Sequence, residues 1–240
     1  MTNDDSSLVG LKTDIIREIY LNRLILTATR DKPKGWQLIS GLWSPFYIQL
    51  RVLSSFPDTL EKVGTALARL LEEQAPHVNR LVGVAFAGVP IATITSIKSR
   101  TPACHTRKIT GVRTQEDFEK TLAQHGQHSL LEGIIKDGDS LCLVDDLVTG
   151  MNSKLIARSQ VLVEVKKRGL QDVKCDDVAV VLDRQQGAEQ IAKKSGLRLH
   201  SLIKFVDEGL PLIKPLMEPA EHELIFDYLK NPSKYKNQTS

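Results

Sequence analysis

The first indication of the fold lies in residues 139–153, which read Asp139-Ser140-Leu141-Cys142-Leu143-Val144-Asp145-Asp146-Leu147-Val148-Thr149-Gly150-Met151-Asn152-Ser153. Residues 141–144 form a short apolar run, typical of a parallel strand that is covered on both faces. A helical pattern begins directly after the loop, at Ser153. In open α/β sheets, ligands bind beyond the carboxyl ends of the strands, where we expect Asp145 and Asp146.

The loop that follows this strand combines two acids with groups that suit a phosphate. Thr149, Gly150, Asn152 and Ser153 offer hydroxyls, unpaired backbone N–H groups and the positive end of a helix dipole. The adjacent carboxylates cannot bind that phosphate, but they fit vicinal hydroxyls or a hard cation such as Mg²⁺. Together these features predict a ribose 5-phosphate site. An acidic turn before an ordinary helix N-cap fits the same residues, so both interpretations remain open.

Apolar spacing along the rest of the chain predicts helices that alternate with strands. We expect helices over residues 8–26, 59–74, 90–97, 153–168, 188–195 and 219–230, and strands over residues 81–86, 141–144 and 178–182. This alternation predicts an α/β fold with a parallel sheet covered on both faces. Residues 232–240 have the composition of a disordered tail.

Composition narrows the class of protein. A chain of 240 residues with 41% hydrophobic and 25% charged residues can bury a substantial core. The sequence has no apolar run of transmembrane length and no secretory pattern at its start, so we expect a cytoplasmic protein with no membrane partner. Cys104, Cys142 and Cys175 lack metal-like spacing and are expected to be reduced core thiols. A net charge of +3 does not predict a nucleic-acid partner and mildly favours small anionic ligands.

Three segments, in this order along the chain, resemble the orotate phosphoribosyltransferase family of type I phosphoribosyltransferases. Residues 35–51, Gly-Trp-Gln-Leu-Ile-Ser-Gly-Leu-Trp-Ser-Pro-Phe-Tyr-Ile-Gln-Leu-Arg, are similar to its N-terminal signature. Residues 139–153 resemble the motif that binds phosphoribosyl diphosphate (PRPP). Residues 180–187 and 196–201 resemble the segment with the orotate-contacting arginine. The resemblance covers roughly residues 12–205, and three ordered motifs are more specific than any one of them.

The resemblance implies a fold, an activity and partners. The implied fold is a central, mostly parallel sheet with helices on both faces and a small hood subdomain. Its phosphoribosyltransferase domain would cover residues 1–206, with the hood within about residues 1–58, and residues 207–240 would form a C-terminal helix and a flexible tail. The implied activity transfers the 5-phosphoribosyl group from PRPP to orotate in pyrimidine (UMP) biosynthesis. Mg²⁺ is the implied cofactor, and the implied assembly is a homodimer with shared active-site loops.

Site residues follow from the same resemblance, position by position. Asp145, Asp146 and Lys108 are expected to be catalytic, and Tyr47, Thr149 and Arg184 to contact orotate. No protein ligands to a metal are implied, because Mg²⁺ would arrive on PRPP. The residues expected to contact PRPP are Phe86, Ala87, Arg107, Lys108, His125, Asp145, Asp146, Leu147, Val148, Thr149, Gly150, Met151, Asn152 and Ser153.

Some of these positions also have a purely structural interpretation. The turn of residues 85–90 is ordinary between a strand and a helix. Tyr47, between Phe46 and Ile48, is equally typical of a core aromatic. Arg184 could form a surface ion pair with Asp183, which would contribute little. A guanidinium after an almost wholly apolar strand can hold a carboxylate or an imide bidentately. Because the match to the family motif is residue by residue, we favour the orotate interpretation for Arg184.

The chain departs from the family pattern at three places. Residues 109–124 form an insertion in the family's mobile loop and leave Ala123 where the catalytic lysine is expected; Arg113 or Lys120 are candidates to replace it. The insertion is also typical of a surface helix or disorder. Met151 replaces a glycine, which would cost on the order of 1 kcal/mol if the backbone needs positive φ. Trp43 replaces a lysine that only some members have.

These departures keep two alternatives open beside the enzyme. One is a catalytically weak relative that binds PRPP or a nucleotide as a regulator, which the missing lysine favours. The other is a phosphoribosyltransferase for a different base, which Arg184 argues against because a neutral purine has no carboxylate to pair with it.

Overall fold

The structure is a computed structural model that describes residues 7–38, 43–124 and 129–235. Its strands are β1 (Ile25–Thr27), β2 (Trp36–Gln37), β3 (Trp43–Ser44), β4 (Phe46–Ile48), β5 (Arg80–Gly83), β6 (Ala103–Thr106), β7 (Leu131–Glu132), β8 (Ser140–Val148), β9 (Lys174–Asp183) and β10 (Arg198–Lys204). Its α-helices are α1 (Leu8–Leu21), α2 (Pro57–Gln74), α3 (Gly88–Ser99), α4 (Gln115–Gln124), α5 (Asn152–Lys167), α6 (Ala188–Lys194), α7 (Leu210–Ile213) and α8 (Pro219–Lys230).

A six-stranded sheet with the order β10-β9-β8-β5-β6-β7 holds the main elements together. Its neighbouring strands are parallel, except that β7 runs antiparallel to β6. From β5 the chain builds the sheet outward through β6, whereas from β8 it builds in the other direction through β9. The order therefore reverses between β5 and β8, and ligands of such sheets bind at this switch point. The predicted α/β fold with a mostly parallel sheet is confirmed.

Two hydrophobic cores lie on the two faces of this sheet. Because successive strand residues point to opposite faces, Cys142 and Val144 of β8 join one core, and Leu141 and Leu143 join the other. The first core includes residues of α1, α2 and α8, and the second includes residues of α5 and α6. All three cysteines are buried and free, as predicted.

Four predicted element boundaries are wrong by three residues or more, because strand pairing or turn geometry overrides the apolar pattern. The strand expected over residues 178–182 begins at Lys174, which pairs with Ser140 of β8. The helix expected to reach residue 26 ends at Leu21, since Arg23 has a φ of 59° and the following residues pair with β4. The strand expected over residues 81–86 ends at Gly83. The strand expected over residues 141–144 continues to Val148, because β9 pairs with it along that length.

The C-terminal segment packs on the N-terminal elements. The helix predicted over residues 219–230 is confirmed as α8, and its buried Glu221 accepts hydrogen bonds from Tyr20 (2.9 Å) and Thr27 (2.5 Å). The prediction of a flexible tail is wrong for Pro232–Tyr235, which forms a 3₁₀ turn whose Tyr235 ring stacks on Trp43 at 5.5 Å. Residues 236–240 lie outside the described part. Among the helices that the structure describes, none combines the length and apolarity that crossing a membrane requires.

Candidate active site

The two adjacent acids lie at the switch point of the sheet. The sequence analysis predicted that Asp145 and Asp146 follow the strand. They instead belong to β8, because β9 pairs alongside them. Pairing with β5, in contrast, ends at Val144, so the acids extend past the end of that neighbour. Both are buried, with 6% and 8% of their surface exposed. The backbone N–H of Asp146 donates to Oδ1 of Asp145 (2.9 Å), and that of Leu147 donates to Oδ1 of Asp146 (2.7 Å).

Burial beside a second carboxylate changes the protonation of Asp146. Burial, followed by the charge of Asp145, raises the pKa of Asp146 to about 7. The ammonium group of Lys154 acts in the opposite direction. Near neutral pH the Asp146 carboxyl is therefore partly protonated, so it can both donate and accept hydrogen bonds.

Lys154 is a site residue that the sequence analysis missed. Its side chain is 3% exposed, and its Nζ lies 2.7 Å from Oδ2 of Asp145, 2.6 Å from the carbonyl oxygen of Leu147 and 3.3 Å from Oγ of Ser153. One signal was available in the sequence: a lysine in the first turn of a helix opposes the helix dipole and needs a nearby anion.

The predicted phosphate loop lies between the end of β8 and the start of α5. Asn152 and Ser153 are exposed in the first turn of α5, which has no side-chain N-cap hydrogen bond. The first N–H groups of a helix have no intrahelical partner, so those of α5 can bind an anion. Met151 has a φ of −94°, and it is fully buried in the second core. The expected strain at Met151 is therefore absent, because the backbone does not need positive φ there.

A second turn approaches the acids from β5. Gly88 packs so closely on β8 that a Cβ atom would lie 2.1 Å from the carbonyl oxygen of Val144, so only glycine fits. The peptide bond between Ala85 and Phe86 is cis, and the N–H of Ala85 donates to Oγ1 of Thr106 (3.0 Å). Phe86 is 74% exposed and Ala87 is half-buried.

A narrow cleft joins this turn to the phosphate loop. The exposed Arg107 and Lys108 border it, and its volume is about 70 Å³. It is lined by Val84, Ala85, Thr106, Arg107, Lys108, Ile109, Val112, Ser153, Ile156 and Gln160. Arg107, Lys108 and Ser153, which the sequence analysis assigned to PRPP from two separate segments, thus meet at one cleft, whereas Phe86 and Ala87 do not line it. His125 lies outside the described residues.

The residue expected to bind orotate follows β9. Arg184 is 7% exposed, its backbone N–H donates to the carbonyl oxygen of Val148 (2.9 Å), and its guanidinium lies 4.9 Å from the centre of the Phe46 ring. Its Nε and Nη2 atoms are buried without a hydrogen-bond partner among the described residues. The surface pair with Asp183 is therefore not formed; the Asp183 carboxylate instead accepts the N–H of Gln185 (2.7 Å). Burial lowers the pKa of Arg184, while Tyr228 and Tyr47 act against that decrease.

Comparison with known proteins decides the family. No protein-family model matches the chain. The chain is, however, 32% identical over 221 residues to the orotate phosphoribosyltransferase of Saccharolobus solfataricus, an alignment that covers 90% of this chain and 98% of that protein. The chain belongs to the orotate phosphoribosyltransferase family.

Solved structures agree on the fold of this family. UMP synthase of Leishmania donovani matches with a TM-score of 0.68 at 21% identity, over 93% of this chain and 42% of that chain. The orotate phosphoribosyltransferase of Mycobacterium tuberculosis in complex with PRPP matches with a TM-score of 0.56 at 20% identity, over 82% of this chain and 90% of that chain. The predicted type I phosphoribosyltransferase fold is confirmed.

The insertion relative to the family pattern forms a docked helix. Residues 115–124 are α4, and its Phe118 is 2% exposed, while Gln115 hydrogen-bonds Ser159 of α5 (2.9 Å). Lys120, one candidate for the missing catalytic lysine, is exposed and pairs with Glu116 of the same helix (2.6 Å). Arg113 precedes α4, and its backbone N–H donates to Asp117 (3.1 Å). The described contacts therefore place neither candidate against the acids.

Two aromatic residues of the N-terminal signature differ in burial and in their contacts. Trp43, at the lysine position of some family members, is 6% exposed, stacks on Tyr235 and donates from Nε1 to the carbonyl oxygen of Lys34 (2.8 Å). Tyr47 is half-buried, stacks on Trp36 at 6.2 Å, and its hydroxyl accepts a hydrogen bond from Arg51 (2.7 Å). Tyr47 is therefore only partly buried, whereas Trp43 belongs to the first core.

A larger cavity lies away from these residues. It measures about 490 Å³ and is bordered by α2, α3 and the start of β5, and none of the residues assigned to the site lines it.

Within the described ranges, no group of three or more His, Cys, Asp or Glu side chains could hold a metal ion. The acids, the phosphate loop and Arg184, rather than this cavity, carry the chemistry expected for the family.

Proposed function

We propose that this protein transfers the 5-phosphoribosyl group of PRPP to N1 of orotate, giving orotidine 5′-monophosphate and pyrophosphate. The bond between C1 of the ribose and the pyrophosphate oxygen breaks, and that oxygen keeps the electron pair. A bond from C1 to N1 forms, and the N1 proton is released.

The observation that carries this proposal is the unpaired guanidinium of Arg184. A buried cation with two nitrogen atoms lacking partners is costly unless a ligand completes its hydrogen bonds. Orotate carries a carboxylate and ring carbonyls, which suit a planar, bidentate donor. The hydrogen bond from the Arg184 N–H to Val148 places this residue beside Thr149, the start of the phosphate loop. An anionic base would thus bind next to the ribose phosphate.

The remaining residues support the chemistry of transfer. Asp145 and Asp146 would hold the ribose hydroxyls and place negative charge near an oxocarbenium-like transition state. The N–H groups and hydroxyls of residues 149–153 would bind the 5-phosphate. Arg107 and Lys108, at the border of the cleft, would contact the departing pyrophosphate. Tyr47 would lie against the base.

Mg²⁺, a homodimer and a cytoplasmic location complete the proposal. Mg²⁺ would enter with the diphosphate of PRPP and neutralise the charge that develops on the leaving group. The homodimer is the assembly that the resemblance to the family implies. Size-exclusion chromatography with light scattering tests the dimer, and omission of Mg²⁺ with added chelator tests the cation.

The direct test is turnover by the purified protein with PRPP, Mg²⁺ and orotate, run in parallel with uracil, hypoxanthine and adenine. We expect orotidine 5′-monophosphate from orotate and no product from the other bases. Asp146→Asn serves as the inactive variant, and Lys166→Met, an exposed change on α5, as the matched control. Turnover on another base in place of orotate would refute the assignment.

One observation favours a second candidate, a PRPP-binding regulator with weak catalysis. The insertion is docked as α4, and its Lys120 pairs within that helix, so the described residues of the insertion supply no lysine to the acids. If calorimetry shows PRPP binding and the turnover assay gives no product with any base, this candidate is supported.

A further inference from the structure

We propose that Lys154 is a built-in counter-ion of the ribose 5-phosphate subsite, which fixes Asp145 and ties the phosphate loop to the end of β8. Lys154 would act through Asp145 and the loop, as a positioning residue. This inference rests on the proposed function, because it concerns the subsite that would hold PRPP.

The geometry around Lys154 is that of a fully satisfied cation. An ammonium group has three protons, and Nζ has three oxygen neighbours, on Asp145, Leu147 and Ser153, at 2.7, 2.6 and 3.3 Å. Two of these oxygens belong to β8 and the third to the last residue of the loop. Lys154 therefore joins both ends of residues 149–153 and limits how far the loop can move away from the acids.

The same contacts engage different oxygen atoms of the two acids. Oδ1 of Asp145 accepts the N–H of Asp146, and its Oδ2 accepts Lys154, so the protein itself engages both oxygens. Asp146 uses Oδ1 for the N–H of Leu147, which leaves Oδ2 for a ribose hydroxyl. We therefore expect Asp146 to make the stronger contact with the ribose hydroxyls, and Asp145 to hold Lys154 in addition to its ribose contact.

Charge explains why a counter-ion helps at this position. PRPP carries a 5-phosphate and a diphosphate, and two neighbouring carboxylates would repel it. The buried ammonium group neutralises one carboxylate where little water can screen the repulsion. A lysine at a helix N-terminus is unfavourable by itself, so the ion pair with Asp145 also stabilises the first turn of α5.

Lys154→Met tests this inference, with Lys166→Met on the same helix as the control. With PRPP varied at saturating orotate, we expect the KM for PRPP to rise at least about ten-fold, with a smaller change in kcat. The acid limb of kcat/KM for PRPP should move to higher pH, because the cation that favours ionised acids is gone. Lys166→Met should behave like the wild type. A Lys154→Met enzyme with the wild-type KM and acid limb would overturn the inference.

Binding of ribose 5-phosphate, followed by calorimetry, separates this inference from the proposed function. It needs no orotate turnover, so a protein that binds ribose 5-phosphate but makes no orotidine 5′-monophosphate refutes the function alone. A wild type that does not bind it, or equal binding by Lys154→Met, overturns the inference.

A double variant covers a failure of Lys154→Met to fold, since it leaves no unpaired buried charge. If Lys154 acts through Asp145, Asp145→Asn/Lys154→Met should bind ribose 5-phosphate as Asp145→Asn does, within about two-fold. A further large loss in the double variant overturns that reasoning.

Discussion

Replacing Arg184 with methionine should change activity and stability in opposite directions. In the ligand-free protein, Nε and Nη2 of Arg184 are buried with no hydrogen-bond partner in the described part of the chain, and each such group costs about 1–3 kcal/mol. The guanidinium regains up to about 2 kcal/mol from the Phe46 ring at 4.9 Å. The two groups together cost about 2–6 kcal/mol, so the difference favours the variant by about 0–4 kcal/mol. Because methionine also fills the apolar space, we expect the melting temperature to rise, by about 2–4 °C for each 1 kcal/mol gained.

The effect on catalysis should be much larger. Truncating one partner of a buried, charged hydrogen-bonded pair costs about 2–5 kcal/mol, which corresponds to a loss in kcat/KM for orotate of roughly 30-fold to several thousand-fold. The KM for PRPP should change little, since the acids and the phosphate loop are untouched. Initial rates with each substrate varied, together with calorimetric melting of the same preparation, measure both effects.

Arg158→Met provides the matched control. Arg158 has partners for its guanidinium, namely the carbonyl oxygens of Cys175 and Ser195 and the carboxylate of Asp176. Its loss should lower the free energy of unfolding by about 1–3 kcal/mol and leave kcat/KM unchanged. The reasoning about Arg184 is refuted if Arg184→Met behaves like this control, destabilised but with the wild-type kcat/KM for orotate.

Three further predictions concern the acid pair, the phosphate loop and the C-terminal helix. The pKa of Asp146 is about 7 in the folded protein and about 3.9 in the unfolded chain, so its contribution to stability is fully present below about pH 4 and is lost as the pH rises through 7. Asp146→Asn should therefore raise the free energy of unfolding in urea at pH 8, by at most about 4 kcal/mol, and leave it nearly unchanged at pH 4; equal gains at both pH values would contradict this. Met151→Gly, which restores the family glycine, should cost about 3 kcal/mol or more because it empties a fully buried position, and a variant as stable as the wild type would show that Met151 is not packed. Glu221→Ala should lower the free energy of unfolding by about 2–3 kcal/mol, since it leaves the hydroxyls of Tyr20 and Thr27 unpaired, with kcat unchanged; lost turnover at unaltered stability would link α8 to the site.

The local sequence predicted part of the fold and of the candidate site. Apolar runs predicted three of the six strands of the main sheet, β5, β8 and β9, because a strand covered on both faces needs continuous apolar residues. The shorter or less apolar β6, β7 and β10 were not predicted. The acids and the phosphate loop were predicted because their residue types suit ribose hydroxyls and a phosphate, whereas the role of Arg184 was predicted from the resemblance to the family. These inferences depend on neighbours along the chain, which a sequence displays directly.

Contacts between distant segments required the tertiary structure. Pairing with β9 extends β8 through both acids, and the packing of Met151 shows that its backbone is unstrained. The unpaired nitrogens of Arg184 appear only when every neighbouring donor and acceptor is in place. Lys154 lies in the first turn of α5, yet it binds Asp145 and Leu147 of β8. Burial and charge pairing are properties of surroundings assembled from the whole chain, so the sequence supplied the reactive groups, and the folded structure decided which of them meet.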